Sequence, residues 1–208
     1  MLLKKICDGM YTRLRVVGLF ISLLPRRSLF SPFARISRRG SVLIGERTTV
    51  RSALLNAGVG TIRLGDRVWL NDGVELSAMT DISVGEGTTI QRNVTINGDV
   101  SIGKECLLAP NIFISSTSHV HDRYAGVSIR EQERRITRDD FLANYNKPIL
   151  IGDDVWIGAN AVIMPGVKIG SHSVVGANSV VTRDVPVGAI VVGGPAKIIK
   201  FRFGFEGV

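Results

Sequence analysis

At 208 residues, 45% of them hydrophobic, the chain is long enough for one domain with a full core plus an appendage. The formal net charge of +8 sits at one end: residues 1 to 40 carry nine Lys or Arg against one acid, Asp8, and the remainder balances at seventeen of each sign. A neutral main body, 6% aromatic residues and no nucleic-acid-binding motif exclude nucleic acid as a partner, and Cys7 and Cys106 fit neither a disulfide framework nor a metal cluster, so a reducing cytoplasm is the expected setting.

Residues 1–40 form a basic, apolar segment with an expected short helix. Its nine-residue apolar stretch, Val16 to Leu24, is flanked by Lys4, Lys5, Arg13 and Arg15 before and Arg26, Arg27, Arg35, Arg38 and Arg39 after. It is too short to span a bilayer. It has the basic start of a secretory signal but no small-residue cleavage site, and Pro25-Arg26-Arg27 follows at once, so the segment is expected to be retained. Two readings stand. Leu19, Phe20, Leu23 and Leu24, with Phe30 and Phe33, insert into the anionic inner membrane surface while the arginines meet headgroups. Alternatively the helix packs on the assembled protein or caps the open end of the domain that follows.

From residue 41 to 190 an aliphatic residue returns every sixth position, most cleanly at Ile151, Ile157, Ile163, Ile169, Val175, Val181 and Val187. A helix face repeats at 3.6 and a half-buried strand at 2, so a period of six fits only a chain climbing in identical short steps. The same register recovers Ile44, Val50 and Asn56; Leu64, Leu70 and Leu76; Val84, Ile90 and Ile96; and Ile102, Leu108 and Ile114. Asn56 is its one polar member, and two-residue slips fall at 62 to 64 and 82 to 84. Gly often follows the aliphatic, supplying tight-turn geometry, and the fourth residue after it is small or β-branched, as at Val68, Thr88, Val155, Ala161 and Ser173. Three such steps make an 18-residue triangular coil of short parallel strands stacked at about 4.8 Å, so six coils give a rod about 29 Å tall.

One interruption is too long to be a slip. Between Ile114 and Ile151 about 31 residues are ejected, more than a connecting loop needs, and such loops usually carry function. This loop, residues 115–148, holds Ser118-His119-Val120-His121-Asp122-Arg123-Tyr124 and the charged run Arg130-Glu131-Gln132-Glu133-Arg134-Arg135. Two of the chain's three histidines, His119 and His121, lie in it; the third is His172. Histidine is the side chain best suited to accept a hydroxyl or amine proton near neutral pH.

Leu108-Ala109-Pro110-Asn111, then His119, then the ejected loop and the return through Pro148-Ile149-Leu150-Ile151-Gly152-Asp153-Asp154-Val155-Trp156-Ile157-Gly158-Ala159-Asn160 resemble the hexapeptide-repeat family. Within it the match is to the maltose, galactoside and exopolysaccharide O-acetyltransferases. The resemblance covers about residues 60 to 203. It implies an all-β fold, a left-handed parallel β-helix with an extruded loop; the general preference for right-handed crossovers by itself points the other way. It implies His119 as general base and His121 as a substrate-site neighbour, with His121 as base the alternative. A carboxylate from Glu131 or Glu133 orients the imidazole, and spacing does not choose between them. Acetyl-CoA is the implied cosubstrate, with no metal. Its contacts are Ala159, Ala177, Thr182, Arg183, Lys197 and Lys200, the last two in a C-terminal cofactor-binding tail, residues 191–208. Gln91 stands where the maltose and galactoside enzymes carry an acceptor-site Asn, with Asn93 two residues on. A homotrimer acting on a sugar or polysaccharide acceptor, direct transfer without a covalent enzyme intermediate, and a cytoplasmic location, peripheral on the membrane if residues 1–40 bind it, complete what the resemblance implies.

Three alternatives accompany this reading. An N-acetyltransferase for an amino sugar would use the same base and cofactor. A zinc hydratase on the same rod would need three protein ligands, and His172 lies far along the repeat from His119 and His121. A non-enzymatic scaffold leaves the ejected histidine loop without a purpose.

Overall fold

The computed structural model describes residues 27–37 and 39–205. The apolar stretch Val16 to Leu24 and its expected helix therefore lie outside the described residues. Within them the chain winds as a left-handed parallel β-helix of triangular section. One face stacks nine short strands: Leu29–Phe30, Thr49–Val50, Trp69–Leu70, Thr89–Ile90, Leu107–Leu108, Trp156–Ile157, Val174–Val175, Ala189–Val192 and Lys197–Phe201. All pair in parallel except the last, which returns antiparallel on Ala189–Val192. The other two faces merge where Glu75–Val84 and Thr95–Ile102 run unbroken around the corner between them.

The period is the consequence of what points inward. Leu70, Ile90, Leu108, Ile157 and Val175 stack in one column at 0 to 1% exposure, each contributing about 1.5 to 3 kcal/mol by burial. The small residues two positions before them, Val68, Thr88, Cys106, Val155 and Ser173, are buried too. The polar members of that column are satisfied: Thr88 Oγ1 donates to Gly103 O at 2.8 Å and Ser173 Oγ to Pro186 O at 2.8 Å. Burial pushes the Cys106 thiol above its usual range, which leaves it an inert core residue.

Five expectations are corrected. The ladder begins earlier than residue 41, because Leu29 pairs with Thr49 and Arg35 with Leu54. With a further level at Ala189–Val192, eight parallel levels replace the six expected. Phe30 accordingly packs against the core instead of projecting toward a membrane, whereas Phe33 is 73% exposed. At the second corner of an early coil, Leu55 and not Asn56 turns inward, pairing with Leu76. The turn before it is one residue short, and Asn56 Oδ1 instead accepts from Gly58 N at 3.2 Å, which spares the cost of burying an unpaired amide. The long run of sixes also ends one step sooner. Val185 pairs with Ile169 and is 5% exposed, while Val187 is 37% exposed. The corner is shortened because the Asp184 carboxylate accepts the Lys168 backbone N–H at 2.8 Å. The two-residue slips preserve inward parity: Ile62 and Leu64 are both buried, as are Ile82 and Val84, so each insertion adds one inward residue to a strand.

Candidate active site

The ejected loop leaves the rod after strand Phe113–Ser115 and rejoins it at Ile149–Ile151. It is ordered by two short helices, α1 (Ile129–Arg135) and α2 (Arg138–Tyr145), capped by Ser128 and Thr137, whose side chains accept from Glu131 N and Asp140 N. At its stem Thr117 bridges Asn146, Ser118 N donates to Tyr145 O at 3.0 Å and Lys147 N to Ser116 O at 2.7 Å. Inside the loop Gln132, 2% exposed, acts as a backbone clip. Its Oε1 accepts from Arg123 N and Tyr124 N at 2.9 and 3.0 Å, and its Nε2 donates to Val127 O at 2.8 Å. The Tyr145 hydroxyl donates to Asp122 Oδ1 at 2.8 Å, which holds the Asp122 carboxyl below its usual range. Arg138 of α2 reaches Met79 O at 2.8 Å and ties the loop back to the rod.

These anchors fix the two histidines on either side of Val120, which is fully buried. His119 Nδ1 lies 2.5 Å from Glu133 Oε1. His121 Nδ1 lies 2.8 Å from His119 O. Carboxylates and carbonyls only accept, so in both rings Nδ1 carries a proton, and in the neutral form of either ring Nε2 is the nitrogen with the lone pair. The two differ in what stands behind the ring: His119 is backed by a charge, His121 by a neutral carbonyl. Of the two carboxylates that spacing left open, Glu133 makes the contact, and Glu131 is engaged by Arg134 and Arg135 at 3.4 and 3.0 Å. The third histidine is elsewhere. His172 Nδ1 pairs with Asp154 at 2.9 Å and its ring stacks on Phe205, while Arg202 joins the same carboxylate at 2.9 Å. The His172 hydrogen bond, against the opposing effect of burial and helped by Arg202, holds the Asp154 carboxyl below its usual range. His172 is thereby a fastening for the C-terminal tail.

The remaining expected site residues distribute over two corners and the tail. Gln91, Asn93, Ala159 and Ala177 occupy equivalent turns of one corner, after strands of the first face. There Gln91 Oε1 accepts from Asn71 at 3.0 Å. Asn93 takes φ 58° and heads a ladder in which Asn93 donates to Asn111, Asn111 to Asn160 and Asn160 to Asn178 at 3.3, 3.2 and 3.0 Å. Asn is the ordinary choice where a non-glycine residue takes the left-handed conformation, so the amide of Asn93 has a structural duty. Thr182 and Arg183 lie on the next corner, the same one from which the loop departs. Lys197 and Lys200 stand exposed on the antiparallel strand Lys197–Phe201. Among the described residues, Arg183, Lys197 and Lys200 pair with no carboxylate, and the small Ala159 and Ala177 leave the corner unobstructed.

A buried network at the loop's stem went unread in the sequence. The side chains of Ser116 and Asn146 join there with the backbone N–H and the carboxylate of Asp99, the Asn146–Asp99 pair being 47 residues apart in the chain. No local motif marks a contact of that separation. Burial raises the Asp99 carboxyl, but hydrogen bonds from Thr80, Asn146 and Asp81 outweigh it and hold the group below its usual range.

Residues 148–183 match the family described as bacterial transferase hexapeptide (six repeats). The galactoside O-acetyltransferase of Escherichia coli strain K12 is 35% identical over 153 residues, covering 72% of this chain and 68% of the relative. Among solved structures, the polysialic acid O-acetyltransferase OatWY is similar at a TM-score of 0.65 and 26% identity over 89% of each chain. A galactoside acetyltransferase in complex with coenzyme A is similar at a TM-score of 0.51 and 33% identity, over 66% of this chain and 64% of that one. With the coil architecture, the ejected histidine loop and this extent of identity, the chain belongs to the hexapeptide-repeat acetyltransferases.

Proposed function

We propose that this protein is an acetyl-CoA-dependent O-acetyltransferase acting on a sugar hydroxyl of a surface polysaccharide or its lipid-linked precursor. The observation that carries the reading is the His119–Glu133 pair, 2.5 Å between Nδ1 and Oε1, on a loop ejected from an otherwise continuous rod. Relatives that modify galactosides and polysialic acid support the acceptor class, and a coenzyme A complex in a similar structure supports the cosubstrate.

Acetyl-CoA supplies an activated acetyl group and a thiol leaving group. The unpaired cations Arg183, Lys197 and Lys200 suit its phosphates. The bare turns at Ala159 and Ala177 suit a slender pantetheine arm. His119 Nε2 takes the proton of the acceptor hydroxyl as its oxygen attacks the acetyl carbonyl, and the Glu133 carboxylate stabilises the imidazolium that forms. The new C–O bond replaces the C–S bond, and His119 returns the proton to the departing sulfur, so no covalent enzyme intermediate is needed. His119 is favoured over His121 because only its partner carries charge.

A homotrimer with its sites between subunits agrees with residues from two corners of the rod serving one cofactor. The end formed by the first coil supports contact with an anionic membrane. Leu29 and Phe33 are 66% and 73% exposed there. Arg27, Arg35, Arg39 and Arg47 are exposed too, with no carboxylate partner among the described residues. Among those residues no helix is long and apolar enough to cross a membrane.

The test is release of CoA thiol in the presence of a panel of hydroxy and amino sugars, with acetylated product identified by mass. O-acetylated sugar is the expected product. Turnover confined to amino acceptors would overturn the O-transfer reading. Sedimentation with anionic but not neutral vesicles is expected of the full chain; equal partition to both would end the membrane reading.

A further inference from the structure

The excursion that carries His119 begins and ends at a single closed ring of hydrogen bonds. Asp99 N donates to Ser116 Oγ at 2.7 Å, Ser116 Oγ donates to Asn146 Oδ1 at 2.5 Å, and Asn146 Nδ2 donates to Asp99 Oδ2 at 2.5 Å. Ser116 is the first residue after the outgoing strand and Asn146 lies three residues before the returning one, and the two are 0% and 9% exposed. The third member belongs to the rod. Asp99 Oδ1 accepts from Thr80 N at 2.7 Å and Asp81 N at 3.1 Å, two backbone donors of the neighbouring coil. Every polar atom in the ring has one possible role. A carboxylate accepts only, so the Asn146 nitrogen must face Asp99 and its oxygen must face Ser116.

The backbone is shaped to admit the ring. Gly98 takes φ 89°, and a Cβ there would overlap Ser116 Oγ, so the residue beside Asp99 has to be glycine on both counts. His119 follows Ser116 by three residues. Ser118 and Lys147, flanking it and Asn146, form the last backbone bonds of the stem.

We infer that Asp99 is a positioning residue for the acetyl transfer, holding both ends of the His119 loop against the rod through Ser116 and Asn146. This rests on the reading of His119 as general base. A base on a stem free to shift by about an ångström loses roughly a hundredfold in rate; the ring adds side-chain closure of both ends to the backbone bonds Ser116 N to Asn97 O at 3.0 Å and Gly166 N to Lys147 O at 2.9 Å.

The test is an exchange of chemistry within the ring. Asp99→Asn sets two amide nitrogens face to face, so the Asn146 amide must turn over; Ser116 Oγ then loses its acceptor and its hydroxyl proton is left unpaired in a buried site, which breaks the ring. Asp99→Asn combined with Asn146→Asp restores it: the amide now on the rod donates to the carboxylate now on the loop, which still accepts from Ser116. We expect Asp99→Asn to lower kcat roughly 10- to 100-fold with KM for acetyl-CoA within about twofold. The exchanged pair should recover to within about threefold of the unaltered protein. Hydrogen exchange of the Ser118 and Lys147 amides reads the stem without reference to catalysis. It should accelerate at least about tenfold in the single variant and revert in the pair. Ser116→Ala, which removes the middle of the ring, should repeat the single variant's effect if Asp99→Asn does not fold. Unchanged amide exchange in the single variants, or loss of kcat without recovery in the pair, would overturn the inference. Retained activity in His119→Ala, with the exchange pattern as expected, would instead overturn the reading of the base and leave the stem's anchoring intact.

Discussion

Replacing Glu133 by Gln separates the charge behind His119 from the hydrogen bond, because the Gln amide oxygen still accepts from Nδ1–H and preserves the tautomer. What is lost is attraction between the carboxylate and the imidazolium formed as the acceptor proton moves. Charge centres about 4 Å apart attract by about 1 kcal/mol in water and about 4 kcal/mol at an effective dielectric near 20. The His119 side chain is 77% exposed and that of Glu133 26% exposed, so the pair lies toward the aqueous limit. The loss is then about 1 to 2 kcal/mol in the transition state, or roughly 5- to 30-fold in kcat. This is far smaller than the effect of a fully buried carboxylate behind a catalytic histidine, about 10⁴-fold. Stopped-time measurement of thiol release at saturating acetyl-CoA reads kcat directly, and Glu131→Gln serves as the control, expected within about twofold of the unaltered protein. A Glu133→Gln enzyme with full activity, or a larger defect in Glu131→Gln, would refute the assignment of Glu133.

The coil register makes a paired prediction. Leu55→Ala should cost about 2 to 5 kcal/mol in denaturant unfolding and Asn56→Ala no more than about 0.5 kcal/mol; the reverse order would contradict the inward position of Leu55. For pH, the Asp99 carboxyl is held below its unfolded value, so its contribution to stability is full above about pH 3.9 and is lost as pH falls through the lower folded value. Thermal scans from pH 7 to 3 should therefore show a shallower acid decline for Asp99→Asn than for the unaltered protein, and parallel declines would contradict this. Lys200→Ala should raise KM for acetyl-CoA about 3- to 5-fold with kcat unchanged; an unchanged KM would remove Lys200 from the cofactor site.

Much of the architecture is legible because the inward residues obey a strict arithmetic. Ile157, Ile163 and Ile169 are core by period alone, and they are buried. The departures occur where a corner changes length. Leu55 displaces Asn56 because one turn is a residue short, and Val185 displaces Val187 because the Asp184 carboxylate substitutes for backbone. Aliphatic spacing does not encode turn length. The first coil escapes for a related reason: Phe30 and Ile36 are its inward residues, yet arginines around them resemble a solvent-facing or membrane-facing segment.

The site divides the same way. The loop and its histidine stand out as an interruption of the repeat. The choice between Glu131 and Glu133 does not, since it depends on how α1 turns its residues: Glu131 toward Arg134 and Arg135, Glu133 toward His119. The ring of Asp99, Ser116 and Asn146 is assembled from different coils and from both ends of the excursion, so only three-dimensional structure brings it together.

His119 is proposed as the base for acetyl transfer to a hydroxyl. The decisive measurement of that role is kcat of His119→Ala with acetyl-CoA and a hydroxy sugar that the unaltered protein acetylates. The expected result is a fall of about 10² to 10⁴, with binding of acetyl-CoA unchanged and His121→Ala retaining most activity. Undiminished turnover in His119→Ala, or a loss found only in His121→Ala, would contradict it.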